Sequence, residues 1–293
     1  MIERTTLTVL VVLIIGASVL ASVQSESASK GEKPRWLTLP ATPTLPRAVR
    51  SDYAPINGVK LWYAFFGNGE PVFMLHGGLA NSNYWGNQVP VLAKHYQVIV
   101  MDSRGHGRST RDQQAFSYHL MATDVIGLMD FLKIEKAAIV GWSDGANICL
   151  DLAINYPDRV SRGFVFAANT NPSAVKDDLS KSDVFNAYVA RTESEYRKLS
   201  PTPGEYKTFL DQIYKMWTTQ PNFTAQQLGI IKVPVWIVGA DHEEAIKREN
   251  TLFMFDNIPG AALLIQAGVS HFSFIQAPLQ FNDDVLHFLK DTR

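Results

Sequence analysis

From residue 59 onward, short apolar runs rich in β-branched and aromatic residues alternate with segments whose apolar positions recur at helical spacing. The short runs predict strands at residues 60–66, 71–75, 97–101, 137–140, 163–168, 233–238 and 262–266. The helical spacing predicts helices at residues 85–93, 120–132, 144–156 and 279–290. This alternation is typical of an α/β protein with a mainly parallel sheet and helices on both faces.

Two interruptions of the pattern carry further predictions. Residues 67–70, Gly-Asn-Gly-Glu, predict a hairpin turn between the first two strands. Residues 171–232 separate two consecutive core strands by far more chain than a crossover needs, which predicts an inserted helical cap on a core of residues 51–170 and 233–293. The aromatic residues of this insertion are expected either to pack it onto the core or to line an apolar pocket: Phe185, Tyr188, Tyr196, Tyr206, Phe209, Tyr214, Trp217 and Phe223.

The beginning of the chain differs in kind from the rest. Residues 7–23 are almost wholly apolar and small residues follow, so residues 1–25 predict a signal peptide, cleaved after Ala21 or Ser25, and a periplasmic or secreted protein. The alternative is an uncleaved segment that anchors the protein in a membrane. Residues 26–50 contain four prolines and predict an N-terminal arm that is extended or poorly ordered.

Composition narrows the class of partner. The chain has 293 residues and a formal net charge of −1, with no basic stripe, so a nucleic-acid partner is not expected. Cys149 is the single cysteine, which excludes an internal disulfide, and its apolar neighbours indicate a buried residue.

The most specific motif is Gly141-Trp142-Ser143-Asp144-Gly145, between a predicted strand and a predicted helix. A G-x-S-x-G in this position predicts a nucleophile elbow, a tight turn that exposes one hydroxyl above the sheet. Ser143 is therefore the candidate nucleophile. Because a serine hydroxyl attacks poorly at neutral pH, it requires a base and donors for the oxyanion that forms.

The remaining catalytic candidates lie in loops after other strands. His271, after the last predicted strand, is the candidate base, and Asp241 and Glu243 both qualify chemically as the acid that orients it. The expected oxyanion donors are the backbone N–H of Asp144 and that of Gly78, with Leu79 as the alternative to Gly78.

Several motifs together resemble the α/β-hydrolase superfamily, in its small, capped serine esterase or lactonase form. They are His76-Gly77-Gly78, the Asp102-to-Ser109 turn, the elbow, Ser270-His271-Phe272, and the chain order serine, acid, histidine. The resemblance implies hydrolysis of a carboxylic ester or lactone of a small, partly apolar substrate through an acyl-enzyme, without cofactor or metal. It also implies a structural role for residues 102–109.

The resemblance bears on two further positions. Alignment on Glu244-Ala245-Ile246 places Glu243, rather than Asp241, at the acid position. The acidic residue after the nucleophile is similar to the valacyclovirase-like, biphenyl-hydrolase-like branch, in which it is taken to meet a substrate ammonium. Trp142 and Asp144 are accordingly candidate substrate contacts; the alternative is that the Asp144 side chain caps the following helix.

Two other functions remain compatible with these residues. The same triad would serve an amide or peptide hydrolase of the aminopeptidase kind, and a hydrolase fold can also serve as a non-catalytic ligand-binding protein.

Overall fold

The computed structural model describes residues 33–291, and this part of the chain forms one eight-stranded sheet. The strands are β1 (Arg50–Ile56), β2 (Val59–Phe66), β3 (Pro71–Leu75), β4 (Gln97–Met101), β5 (Ala137–Trp142), β6 (Val160–Phe166), β7 (Val235–Ala240) and β8 (Ala262–Gln266). Their order across the sheet is β1-β2-β4-β3-β5-β6-β7-β8. The β1/β2 and β2/β4 pairs are antiparallel, and every other pair is parallel.

Helices cover the sheet and fill the insertion. They are α1 (Val89–Leu92), α2 (Tyr118–Phe131), α3 (Asp144–Asn155), α4 (Asp183–Leu199), α5 (Tyr206–Trp217), α6 (Ala225–Gly229), α7 (Arg248–Asn257), α8 (Ser273–Gln276) and α9 (Pro278–Lys290). The predicted α/β class with a mainly parallel sheet is confirmed. The helix predicted at residues 85–93 is broken into a 3₁₀ turn, Ser82–Asn87, and the short α1.

The hydrophobic core lies on both faces of the sheet. Along β3, Phe73 and Leu75 belong to one buried cluster, and Val72 and Met74 belong to the other. Successive side chains of a strand point to opposite faces, so a strand buried on both faces reads as an unbroken apolar run. This explains why β3 and β5 were evident from the sequence.

The hairpin prediction at residues 67–70 is wrong. Those residues connect β2 to β3, but β4 lies between these two strands in the sheet. The hairpin joins β1 to β2 instead, through Asn57 and Gly58, whose φ angles are 45° and 81°. Positive φ at both central residues is what a two-residue hairpin turn of this kind requires, and Asn-Gly supplies it.

The segment predicted as a cap contains α4, α5 and α6, between β6 and β7. The described part of the N-terminal arm is packed onto the core. Leu39 and Leu45 contact the buried cluster on one sheet face. Arg191 of α4 donates hydrogen bonds to the carbonyl oxygens of Pro40 (2.6 Å) and Leu39 (2.9 Å). The arm is thus bound to both the core and the insertion.

The predicted signal peptide lies outside the described residues. Within residues 33–291, no helix has the length and apolar character needed to cross a bilayer.

Candidate active site

Ser143 occupies the sharp turn between β5 and α3. Its φ and ψ are 54° and −117°, a strained combination for a residue with a side chain. The turn is held by a 2.9 Å hydrogen bond from the Ser143 N–H to the carbonyl oxygen of Phe166 on the neighbouring strand.

The two glycines of the motif are needed for close backbone approach. A Cβ at Gly141 would lie 2.3 Å from the Gly145 carbonyl oxygen, and one at Gly145 would lie 2.1 Å from that of Leu75. Neither position has room for a side chain, which explains the G-x-S-x-G pattern physically.

His271 lies in the loop after β8, and its ring is almost fully buried. Its Nδ1 is 2.7 Å from Oε1 of Glu243, in the loop after β7. The same oxygen accepts hydrogen bonds from the N–H groups of Ala245 (2.9 Å) and Ile246 (3.2 Å). These bonds fix the carboxylate, so Glu243 is positioned to orient the imidazole.

Asp241, the other candidate acid, faces a different partner. Its carboxylate accepts hydrogen bonds from the N–H groups of Gly268 (2.9 Å) and Val269 (3.3 Å). It therefore joins the acid-bearing loop to the histidine-bearing loop, and the structure does not bring it to the His271 ring.

The charge state of His271 follows from its neighbours. Burial disfavours the imidazolium, but the charge of Glu243 and the hydrogen bond to it outweigh burial, so the pKa of His271 is raised above 6.5. The charge of Glu244 also raises the pKa of His271. In the sequence, Glu244 served only to align the loop and had no predicted role. Its Oε2 accepts a 2.8 Å hydrogen bond from the His271 N–H, and burial and the charge of Glu243 raise its pKa to about 7.

Ser143 and His271 line the same cavity, whose volume is about 510 Å³. Much of its wall is apolar or aromatic, and four of the insertion's eight candidate aromatics contribute to it: Phe185, Tyr188, Tyr214 and Trp217. The remaining four pack in or against a core cluster: Tyr196, Tyr206, Phe209 and Phe223. Trp142 also lines the cavity, although most of its ring is buried against Phe274, with 4.5 Å between ring centroids.

The two candidates for the second oxyanion donor differ in their positions relative to the cavity. Gly78 lines the cavity, and its carbonyl oxygen accepts a 2.5 Å hydrogen bond from the Tyr188 hydroxyl. Leu79 does not line the cavity; its side chain is buried in the core at a φ of 65°. Asp144 is the first residue of α3, so its N–H is one of those that a helix start leaves without an intrahelical acceptor.

The Asp144 side chain has partners that the sequence did not predict. Its Oδ1 accepts a 2.8 Å hydrogen bond from the Tyr118 hydroxyl, and both of its carboxylate oxygens lie 2.9 Å from Nε1 of Trp217. The N-cap of α3 is Ser143, whose side chain makes no capping hydrogen bond, and the Asp144 carboxylate instead accepts from Tyr118 and Trp217. Burial raises its pKa to about 6, against the lowering effect of these hydrogen bonds and of the nearby His271.

The turn from Asp102 to Ser109 is held by hydrogen bonds to the buried Asp102 carboxylate. That carboxylate accepts from the N–H groups of Ser82 (2.7 Å) and Arg108 (2.8 Å). None of residues 102–109 lines the cavity of Ser143. Across residues 33–291, no cluster of three or more histidine, cysteine or acidic side chains is arranged to hold a metal ion.

The fold and the elbow define the class of protein, and comparison with known proteins agrees with it. Residues 70–205 match the family model described as alpha/beta hydrolase fold. The chain therefore has the α/β-hydrolase fold, and the family match lies within it.

Three relatives show the range of that class. The putative carbamate hydrolase RutD of Caulobacter sp. (strain K31) is 26% identical over 74% of this chain and 89% of its own length. The human serine hydrolase BPHL is 26% identical over 83% of this chain and 87% of its own. A solved structure of Est816, described as an N-acyl homoserine lactone degrading enzyme, matches with a TM-score of 0.70 and 25% identity, covering 81% of this chain and 100% of that one.

Proposed function

We propose that this protein is a serine hydrolase that cleaves a carboxylic ester or lactone of a small, partly apolar substrate through an acyl-enzyme. The observation that carries the proposal is that Ser143, on its strained turn, shares one cavity with His271, whose Nδ1 is bonded to Glu243 behind it. A nucleophile, a base and an orienting acid are the groups that acyl transfer needs.

The proposed reaction has two stages. Nε2 of His271 takes the Ser143 proton as Oγ attacks the carbonyl carbon, and the N–H groups of Asp144 and Gly78 stabilise the oxyanion. His271 then protonates the departing alkoxide, which leaves the acyl group on Ser143. In the second stage His271 takes a proton from water as the water oxygen attacks the acyl carbonyl carbon, and returns that proton to Oγ of Ser143 as the acid is released.

Two further observations support this substrate class. The apolar wall of the cavity suits an acyl group without charges, and the matched Est816 is described as degrading a lactone. RutD, in contrast, is described as a putative carbamate hydrolase, so cleavage beside nitrogen is the alternative to test.

The test compares a short-chain p-nitrophenyl ester with the matched p-nitroanilide. We expect the ester to be turned over far faster, and Ser143→Ala to lower kcat by roughly a thousandfold or more. Ser173→Ala removes another serine at the edge of the cavity and serves as the control for a general loss of structure.

A fluorophosphonate probe gives a second measurement, because it labels an activated serine directly. We expect an adduct on Ser143 in the folded wild type and none in Ser143→Ala. An equal or faster anilide rate would replace the esterase proposal by an amidase, and a folded wild type without any adduct would remove the serine-hydrolase proposal altogether.

A further inference from the structure

One buried carboxylate joins three parts of the molecule beside the nucleophile. Asp144 begins α3, Tyr118 begins α2, and Trp217 ends α5 in the insertion. The hydrogen bonds from Tyr118 and Trp217 converge on the Asp144 carboxylate, which is only 6% exposed. A charged acceptor bonded to buried donors makes stronger hydrogen bonds than a neutral one.

The same carboxylate packs closely against Gly78, the proposed oxyanion donor. A Cβ at Gly78 would lie 2.3 Å from Oδ2 of Asp144 and 2.5 Å from Cζ2 of Trp217. The backbone of Gly78 is therefore in direct contact with both partners of this hydrogen-bonded pair.

The insertion holds Gly78 from a second direction as well. Tyr188, on α4, donates its hydroxyl hydrogen to the Gly78 carbonyl oxygen. The peptide N–H proposed to meet the oxyanion thus belongs to a residue fixed between Tyr188 on one side and the Asp144–Trp217 pair on the other.

We infer that the Asp144 side chain is a positioning residue, which ties Trp217 of the insertion to the oxyanion loop, and not a ligand for a substrate ammonium. Its role is to keep the Gly78 N–H where the oxyanion forms. This inference rests on the proposed function, because it assigns the side chain a part in the same acyl transfer. A misplacement of about 1 Å in an active site can cost about a hundredfold in rate.

If Asp144 positions the oxyanion donor, its substitution should lower kcat and leave KM nearly unchanged. Without the Asp144–Trp217 hydrogen bond, the substrate still enters the apolar cavity, but the Gly78 N–H is no longer held where the oxyanion forms. For a neutral p-nitrophenyl ester we expect Asp144→Ala and Trp217→Phe each to lower kcat by roughly 10- to 100-fold, with KM changed less than about threefold. Asp144→Asn, which keeps an acceptor for the indole N–H, should recover most of the kcat that Asp144→Ala loses.

A double-mutant cycle tests the connection itself. If Asp144 and Trp217 act through one hydrogen-bonded pair, the doubly substituted protein (D144A with W217F) should be no slower than D144A alone. Lys215→Ala, an exposed position on the same helix as Trp217, is the matched control for changes in α5. Additive effects of the two substitutions, or an unchanged kcat in Trp217→Phe, would overturn the inference.

An ammonium ligand would give a different result. In that case Asp144→Ala and Asp144→Asn would both raise KM for an aminoacyl p-nitrophenyl ester and leave the neutral ester unaffected. Failure of the proposed function is distinguishable from both outcomes, because wild-type protein would then turn over neither ester and would not be labelled on Ser143 by the fluorophosphonate.

Discussion

At the scale of single residues, Glu243 is set apart from the neighbouring carboxylates by the number of donors it meets. One oxygen of Glu243 accepts from the His271 ring and two backbone N–H groups, whereas Asp241 accepts from the backbone of the histidine-bearing loop and has no hydrogen bond to the His271 ring. The chemistry of the two side chains is equivalent. Their distance from one imidazole assigns their parts in the proposed reaction.

Glu243→Gln tests that difference through the pH dependence of kcat/KM. His271 must be neutral to accept a proton, so activity should rise with pH through its raised pKa, above 6.5. Because the charge of Glu243 supports the imidazolium, Glu243→Gln should move this acid limb to lower pH and reduce kcat by roughly 10²- to 10⁴-fold.

Asp241→Asn is the matched control for Glu243→Gln. Its acid limb should coincide with that of the wild type, since the Asp241 carboxylate does not contact the imidazole. A limb that moved in Asp241→Asn but not in Glu243→Gln would exchange the roles of the two residues.

The sequence predicted the site only where a residue's function shows in its local motif. Ser143 and His271 follow strands in a recognisable order, so the sequence predicts both as catalytic candidates, and it limits the candidate acid to two positions in one loop. Tyr118, Trp217 and Glu244 carry no such motif. Their partners lie far away along the chain or depend on how two loops meet, and residue spacing does not encode these contacts.

At the scale of elements, the N-terminal arm stabilises the loops of the site. The Trp36 ring stacks on His242, next to Glu243, with 3.9 Å between centroids and 4° between planes. On the histidine-bearing side, Gln276 donates a 2.9 Å hydrogen bond to the Thr38 carbonyl oxygen and accepts one from the Ser270 N–H at 2.8 Å. The arm therefore contacts the loop of Glu243 directly and is connected to the loop of His271 through Gln276 of α8.

Trp36→Ala should weaken this arrangement. Loss of one well-stacked ring pair is worth about 1 kcal/mol, so we expect the free energy of unfolding in urea to fall by about that amount. Leu37→Ala, at a side chain that is 48% exposed, is the control and should have a smaller effect. Equal losses in the two variants would mean that the arm stabilises the protein without any specific contribution from the stack.

Two features of the sheet, the strand β1 and the connection after β2, were not predicted correctly from the sequence. In β1 the burial pattern is exposed over its first four residues, so it shows no apolar run. The connection after β2 looked like a hairpin because hydrophobic periodicity specifies which residues form a strand but not which strands become neighbours. Pairing of β2 with β4 depends on the whole sheet.

At the scale of the whole molecule, Asp144 couples the proposed reaction to folding stability. Burial raises its pKa from 3.8 to about 6, which means that the folded state binds its proton more tightly than the unfolded state does. The corresponding stability is fully present below about pH 4 and is lost as pH rises through the folded pKa. By this shift, the ionised carboxylate costs the folded protein about 3 kcal/mol at neutral pH.

Asp144→Asn should remove that pH-dependent cost, because an amide does not ionise. The variant's free energy of unfolding, measured in urea, should differ little from wild type near pH 4. It should exceed wild type by an amount that grows up to about pH 7, approaches about 3 kcal/mol and is then constant. Asp178→Asn, at an exposed position, controls for the change in net charge. A difference in unfolding free energy that is independent of pH would show that burial does not destabilise the ionised Asp144 carboxylate. A difference that grows with pH would mean that the protein keeps a destabilising charge where the insertion meets the nucleophile. Such a charge is expected where a residue is selected for function rather than for stability.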